Sequence, residues 1–203
     1  IQPDEKGSFT ENLRHLMDNV NNFPGYSAGK YFKFPDHPED ETESDAYECD
    51  ITNENISIGV YDENDDYLFR GDFNFNGYTV FATEPMFGAV GSGANIHAGY
   101  TSKGGVRIDY TSNYFYTSGA DTKFEYLENF GGFIRQIWCD EEDSNVNIKN
   151  IRYSTDVFTS EADSVELTSV SGFIGAVINT HSGTMNLTLE NCIIDGTQPL
   201  CYC

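Results

Sequence analysis

Near the start of the chain, apolar residues fall at Leu13, Leu16, Met17 and Val20, the i, i+3, i+4, i+7 spacing that draws one stripe along a helix. That spacing predicts a short amphipathic helix over 10–22, with Ser8 or Thr10 capping its start and Phe23-Pro24-Gly25 ending it. Three turns with a single stripe do not stand alone in water, so Leu13, Leu16, Met17 and Val20 are expected to cover one end of a larger body and serve its assembly. Residues 35–50 hold two prolines and a dense acidic run, which reads as a solvated linker, with a calcium-binding loop as the competing reading. From about residue 47 the period changes. Short alternating runs such as Ile56–Val60, Tyr78–Phe81, Val106–Tyr110 and Val146–Ile148 are punctuated by Gly, Asn, Asp and Ser, and helix signals stop. The expected organisation is therefore a helix with an acidic linker over 1–46, then an all-β region over 47–203.

Within that region the pattern repeats. Met86-Phe87-Gly88-Ala89-Val90 recurs as Gly132-Phe133-Ile134-Arg135-Gln136-Ile137 and again as Gly172-Phe173-Ile174-Gly175-Ala176-Val177, placing the phenylalanines 46 and 40 residues apart. Ala120-Asp121 and Ala162-Asp163 lie 42 apart, and Asn147-Ile148-Lys149-Asn150 precedes Thr188-Leu189-Glu190-Asn191 by 41. A propeller blade uses four strands and closure takes at least about four blades, whereas about three units of 40–46 residues are visible and the W-D signature is missing. A right-handed parallel β-solenoid fits better, each unit forming roughly two coils of about 20 residues, with stacked Phe, Ile, Val and Leu inside and Asn and Gly at the corners.

The run Gly172–Val177, followed by a polar turn and Thr184–Gly196, resembles the GLUG-type repeats of large secreted surface proteins and related parallel β-helix repeats of bacterial and protist surface proteins. The resemblance spans 86–196 and is best at 171–196, where Gly172, Phe173, Gly175, Asn191, Cys192 and Gly196 fit. It weakens at 131–155, where Arg135 replaces the second Gly, and is faint at 86–113. It implies extracellular scaffolding or adhesion and brings no catalytic residues with it.

Composition narrows the field. With 33 acidic against 11 basic residues the net charge is −22, which repels phosphates and argues against nucleic acid as a partner. Hydrophobic residues at 38 %, with 19 glycines, suffice for a core, and no run reaches the roughly 18–20 apolar residues of a transmembrane span. Cys49, Cys139, Cys192, Cys201 and Cys203 include no C-x-x-C pair, so disulfides in an oxidising compartment are favoured over zinc. Small buried thiols are the alternative for Cys139 and Cys192. The chain begins at Ile1 rather than Met, which fits a removed secretory leader as well as a truncation. Sequons stand at Asn55 and Asn186, and the alternation of Met185, Leu187 and Leu189 turns Asn186 outward.

Candidate chemistry is sparse. His15, His37, His97 and His181 show no metal-ligand spacing, and Gly91-Ser92-Gly93 reads as a turn. Arg107, Arg135 and Arg152 and the tyrosines of 110–116 are the residues that would serve an acidic or stacked sugar. Calcium is the best ligand candidate. Asp62, Asn64 and Asp66 form one set of hard oxygens, and Asp140 and Glu142, with Glu141 and Asp143, a second. The first set fails as an EF-hand, with Tyr67 where the loop needs Gly and Phe73 where it needs Glu. The expected function is that of an extracellular structural protein that self-assembles through solenoid ends into a filament, appendage or surface layer, with itself or related surface proteins as partner. A polysaccharide-binding or -cleaving module, or an adhesin domain, is the alternative.

Overall fold

The computed structural model describes residues 9–36, 48–51, 54–62, 64, 66–82, 85–98, 106–109, 133–155, 173–179 and 182–196. Helix α1 spans Phe9–Asn22, with Glu11 in its first turn, where a carboxylate meets the positive end of the helix dipole. It starts one residue before Thr10, so Thr10 lies inside the helix rather than capping it. Phe23 opens a run of turns to Gly29, in which Gly25 (φ 63°) and Gly29 (φ 67°) take the left-handed conformation.

Everything else regular is β: β1 (Tyr31–Lys33), β2 (Glu48–Asp50), β3 (Asp72–Asn74), β4 (Thr79–Phe81), β5 (Phe87–Val90), β6 (Asn95–His97), β7 (Val106–Asp109), β8 (Ile134–Cys139), β9 (Asp143–Lys149), β10 (Ile151–Thr155), β11 (Ile174–Asn179), β12 (Thr184–Glu190) and β13 (Ile193–Gly196). They form three sheets whose neighbours all pair in parallel: sheet A in the order β1-β3-β6-β9-β12, sheet B in the order β2-β4-β7-β10-β13, and sheet C in the order β5-β8-β11. From β3 onward the chain visits the sheets in fixed rotation, A, B, C, A, B, C, to β13. Parallel pairing buries strands in a stack where like residues sit over like, which is what a repeating sequence supplies.

The repeat landmarks meet in space. The three F-I-G-A-V-like runs become β5, β8 and β11, side by side in sheet C, with Phe87 N–H donating to the Phe133 carbonyl at 3.2 Å and Phe133 N–H to that of Phe173 at 3.1 Å. The offset of 41 becomes the β9–β12 register, Asn147 opposite Thr188 and Ile148 opposite Leu189. Each unit gives one strand to each of the three sheets. The β region also begins earlier than residue 47, because β1 pairs with β3. Ile56–Val60, by contrast, makes only a single bridge from Ile58 to Phe87. Gly59 breaks that run at φ 85°, where a Cβ would stand 2.1 Å from the Ala89 carbonyl oxygen.

The core is a column of aromatic rings. Phe34, Phe69, Phe73, Phe75, Phe87 and Phe133 are fully buried, each worth about 1.5–3 kcal/mol against exposure. Phe87 meets Phe133 edge-on at 5.6 Å, and Phe133 stacks on Phe173 at 5.2 Å. At the corners after sheet A, Asn76, Asn150 and Asn191 all hold φ of 50–57°, a conformation Asn tolerates, and Asn191 Nδ2 donates to Asn150 Oδ1 at 3.2 Å.

Candidate functional site

The two ends of the sheets differ, and the helix is the reason. Among the described residues no strand lies beyond β2 in sheet B, yet Cys49, Ile51, Ile56 and Ile58 are all buried, in one cluster with Leu13, Leu16 and Val20 of α1. Met17 is half-buried against the same cluster. Polar groups are covered as well. Asn21 Oδ1 accepts from Gly59 N–H at 2.7 Å, Asn21 Nδ2 donates to the Ser57 carbonyl at 3.1 Å, and Met17 Sδ accepts from Ser57 N–H at 3.4 Å. Arg14 adds an ion pair to Glu54. The stripe offered for assembly by Leu13, Leu16, Met17 and Val20 is thus spent inside the molecule. A partner chain would find these side chains covered.

At the far end the same rows of apolar residues come to the surface. Ile137 is fully buried while Val177, opposite it on β11, is 50 % exposed; Ile148 is fully buried while Leu189, opposite it on β12, is 49 % exposed. Met185 and Leu187 are half-buried over Ser144 and Val146, which are fully buried. Ile193 on β13, opposite Arg152, is 53 % exposed on the outward side. Among the described residues no strand pairs with the far edge of β11, β12 or β13. Sequence periodicity identifies Val177 and Leu189 as inward-facing, and nothing in the local pattern marks them as exposed.

The two sets of acidic residues lie apart. Asp62, Asn64 and Asp66 share a turn that projects from sheet C between Ile58 and Phe69, both of which bridge to β5. Asp62 serves that turn itself, its Oδ1 accepting from Asp66 N–H at 2.9 Å and its Oδ2 from Asn64 Nδ2 at 3.4 Å. Asp140 has a fully buried carboxylate in an ion pair with Arg70, and its Oδ1 also accepts from Ser92 N–H at 2.8 Å. Gly91 makes room for this pair: a Cβ there would stand 2.8 Å from Asp140 Oδ2 and 3.1 Å from Arg70 Nε. Glu142 is exposed. Among the described residues no three His, Cys, Asp or Glu side chains converge as metal ligands.

Polar contacts invisible in the sequence lie on the outer faces. On sheet A, Asp72 holds His97 Nε2 at 2.9 Å and Asn95 Nδ2 at 2.8 Å. On sheet C, the exposed Tyr61 stacks on Trp138 at 3.6 Å between ring centres, beside Leu68, Ala89 and Ile178. These pairs join residues 23 to 77 positions apart, beyond any local pattern. His15 is exposed on α1, Arg135 half-buried and Arg152 exposed. His37, His181, the tyrosines of 110–116, Ala120-Asp121 and Ala162-Asp163 lie outside the described residues, as does the side chain of Arg107.

Cys49, Cys139 and Cys192 are free thiols, with no disulfide among the described residues; Cys201 and Cys203 lie outside them. Cys49 and Cys139 behave as small buried residues. Burial, with Asp50 adding to it, pushes the Cys49 thiol up to about 12, and burial also raises that of Cys192. Asn55 and Asn186 are both exposed, Asn186 on the outer face of β12.

Residues 105–203 match a family described as "Protein of unknown function (DUF3737)". The matched stretch carries β7 to β13 and therefore the exposed end. No curated protein and no solved structure matches the chain. No helix among the described residues is long and apolar enough to cross a membrane.

Proposed function

We propose that this chain is an extracellular structural protein, a right-handed parallel β-solenoid whose work is assembly rather than turnover. The observation that carries this reading is the pair of half-exposed apolar residues, Val177 and Leu189, on strands whose far edges no described strand pairs with. Unpaired edges bearing apolar side chains template further pairing. The fixed rotation of the chain through three parallel sheets supports the solenoid. The extracellular placement draws on the resemblance to surface-protein repeats and on the two exposed sequons, Asn55 and Asn186. Filament, appendage or layer growth uses two contacts, and α1 already occupies one end, so association runs through the end formed by β11, β12 and β13. Electron microscopy and sedimentation of the intact protein over a wide concentration range test the reading. Species larger than one chain are expected; a single-chain mass at every concentration would overturn it.

A further inference from the structure

The helix is attached to the sheets in a different way from the strands. Each strand shares a hydrogen-bonded ladder with a neighbour, whereas α1 belongs to no sheet. It is held by one face. Leu13, Leu16 and Val20 share the core cluster with Cys49, Ile51, Ile56 and Ile58, while Glu11, Arg14, His15, Asp18 and Asn22 are exposed. Its polar contacts converge on one short segment, 54–59. Arg14 pairs with Glu54, Met17 Sδ accepts from Ser57 N–H, and Asn21 holds both the Ser57 carbonyl and Gly59 N–H.

The chain is pinned again just after the helix. Gly25 N–H donates to the Asp66 carbonyl at 2.8 Å, and the buried Ser27 Oγ donates to the Leu68 carbonyl at 3.3 Å and accepts from Arg70 N–H at 2.9 Å. Only Phe23 and Pro24 lie between the end of α1 and Gly25. Phe23 is 58 % exposed, and a Cβ on Gly25 would meet no heavy atom within 4 Å beyond its chain neighbours, so this link is not packed into the body. The pins at Gly25 and Ser27 let α1 swing away without pulling on β1. A helix of 14 residues is marginal by itself in water, so leaving the sheets and melting are one event.

We infer that α1 is a releasable cap: it leaves the sheets as one unit, turning about Phe23-Pro24, and uncovers Ile51, Ile56 and Ile58 while the sheets stay paired. Elements held outside the ladders open at lower free energy than the centre of a sheet. Two amides outside the helix report the release, because Ser57 N–H is held by Met17 Sδ and Gly59 N–H by Asn21 Oδ1. The device belongs to a single chain and holds whether or not chains associate.

Native-state hydrogen exchange of the dilute full chain, wild type and Val146→Ala, tests this. The comparison amide is Asn147 N–H in the middle of β9, which donates to the Ala94 carbonyl at 2.9 Å. In the wild type the amides of Leu16–Val20, Ser57 and Gly59 are expected to share one protection factor, at least roughly tenfold below that of Asn147. Val146 is fully buried on β9, so its truncation weakens the sheets with the cap seated or released alike. Val146→Ala is expected to lower protection at Asn147 roughly tenfold or more and to leave Leu16–Val20, Ser57 and Gly59 unchanged. Equal protection of the two sets in the wild type, or an equal loss at both in Val146→Ala, would mean that α1 leaves only when the whole chain unfolds and would overturn the inference. Ser57 and Gly59 exchanging apart from Leu16–Val20 would mean fraying in place of release and would also overturn it. The wild-type comparison decides alone if Val146→Ala does not fold.

Discussion

Ile148 and Leu189 are neighbours in one row of sheet A, on strands of equal length, yet one is fully buried and the other half exposed. At the opposite end Cys49, Ile51 and Ile58 occupy an equally terminal position and are as buried as the middle of the stack. What separates the ends is α1. A stack of parallel strands cannot bury its own terminal row, because each row is covered only by the next. One end here is closed by a helix that brings Leu13, Leu16 and Val20 over the row and Asn21 to its backbone groups. At the other end Val177 and Leu189 are half exposed, and among the described residues no helix or further strand lies over them.

The comparison is broken most severely midway between the ends. Arg70 and Asp140 meet beside Gly91 and tie the segment before β3 to the one after β8. Removing the carboxylate takes from the largely buried guanidinium its fully buried partner and leaves it the more distant, exposed Glu141 at 3.9 Å. Asp140→Ala is expected to cost about 3–5 kcal/mol in urea-induced unfolding. A loss below about 1 kcal/mol would mean that the pair does not hold these two segments together.

The next test sets the same substitution at the two ends. Leu13→Ala empties a fully buried site and is expected to cost about 2–5 kcal/mol, whereas Leu189→Ala, half exposed in the single chain, is expected to cost roughly 1 kcal/mol or less. Measured below the association range, equal losses would erase the difference between the ends.

A smaller effect sits at the corners. Asn150 holds φ 57°, so Asn150→Ala is expected to cost about 1–2 kcal/mol while Asn150→Gly stays near neutral. Thermal melts of the two variants would separate backbone conformation from the side-chain contact with Asn191, which both lose.

The last effect is confined to alkaline pH. The Cys49 thiol is raised from 9.0 to about 12 by burial, so the unfolded chain ionises first. Its contribution is fully present below pH 9 and is lost as pH rises toward about 12. Wild type should therefore lose stability more steeply than Cys49→Ala over that window; parallel slopes would place the thiol in contact with water.

Most of the fold was legible because it rests on periodicity. The helix stripe, the strands over 78–81 and 146–148, and the offset of 41 residues all reappear as elements and register. The offset of 46 between Phe87 and Phe133 slips by one, since Phe87 lies opposite Ile134. Legibility ended where the cause is not local. β1 is three residues long and is a strand only because β3 lies beside it. Asp140 reads as one carboxylate of an acidic turn, and only folding brings it to Arg70, 70 positions earlier. The exposed end was harder still. Val177 and Leu189 have the same local pattern as the buried Ile137 and Ile148 opposite them, and the pattern does not distinguish the exposed pair from the buried one.

Hydrogen–deuterium exchange of the intact protein, at low and high concentration, tests the asymmetry of the ends most directly. Amides of β11, β12 and β13 are expected to gain protection as concentration rises, while those of α1, 48–51 and 54–59 keep theirs unchanged. Protection that rises at α1, 48–51 and 54–59, or that does not change with concentration anywhere, would contradict it.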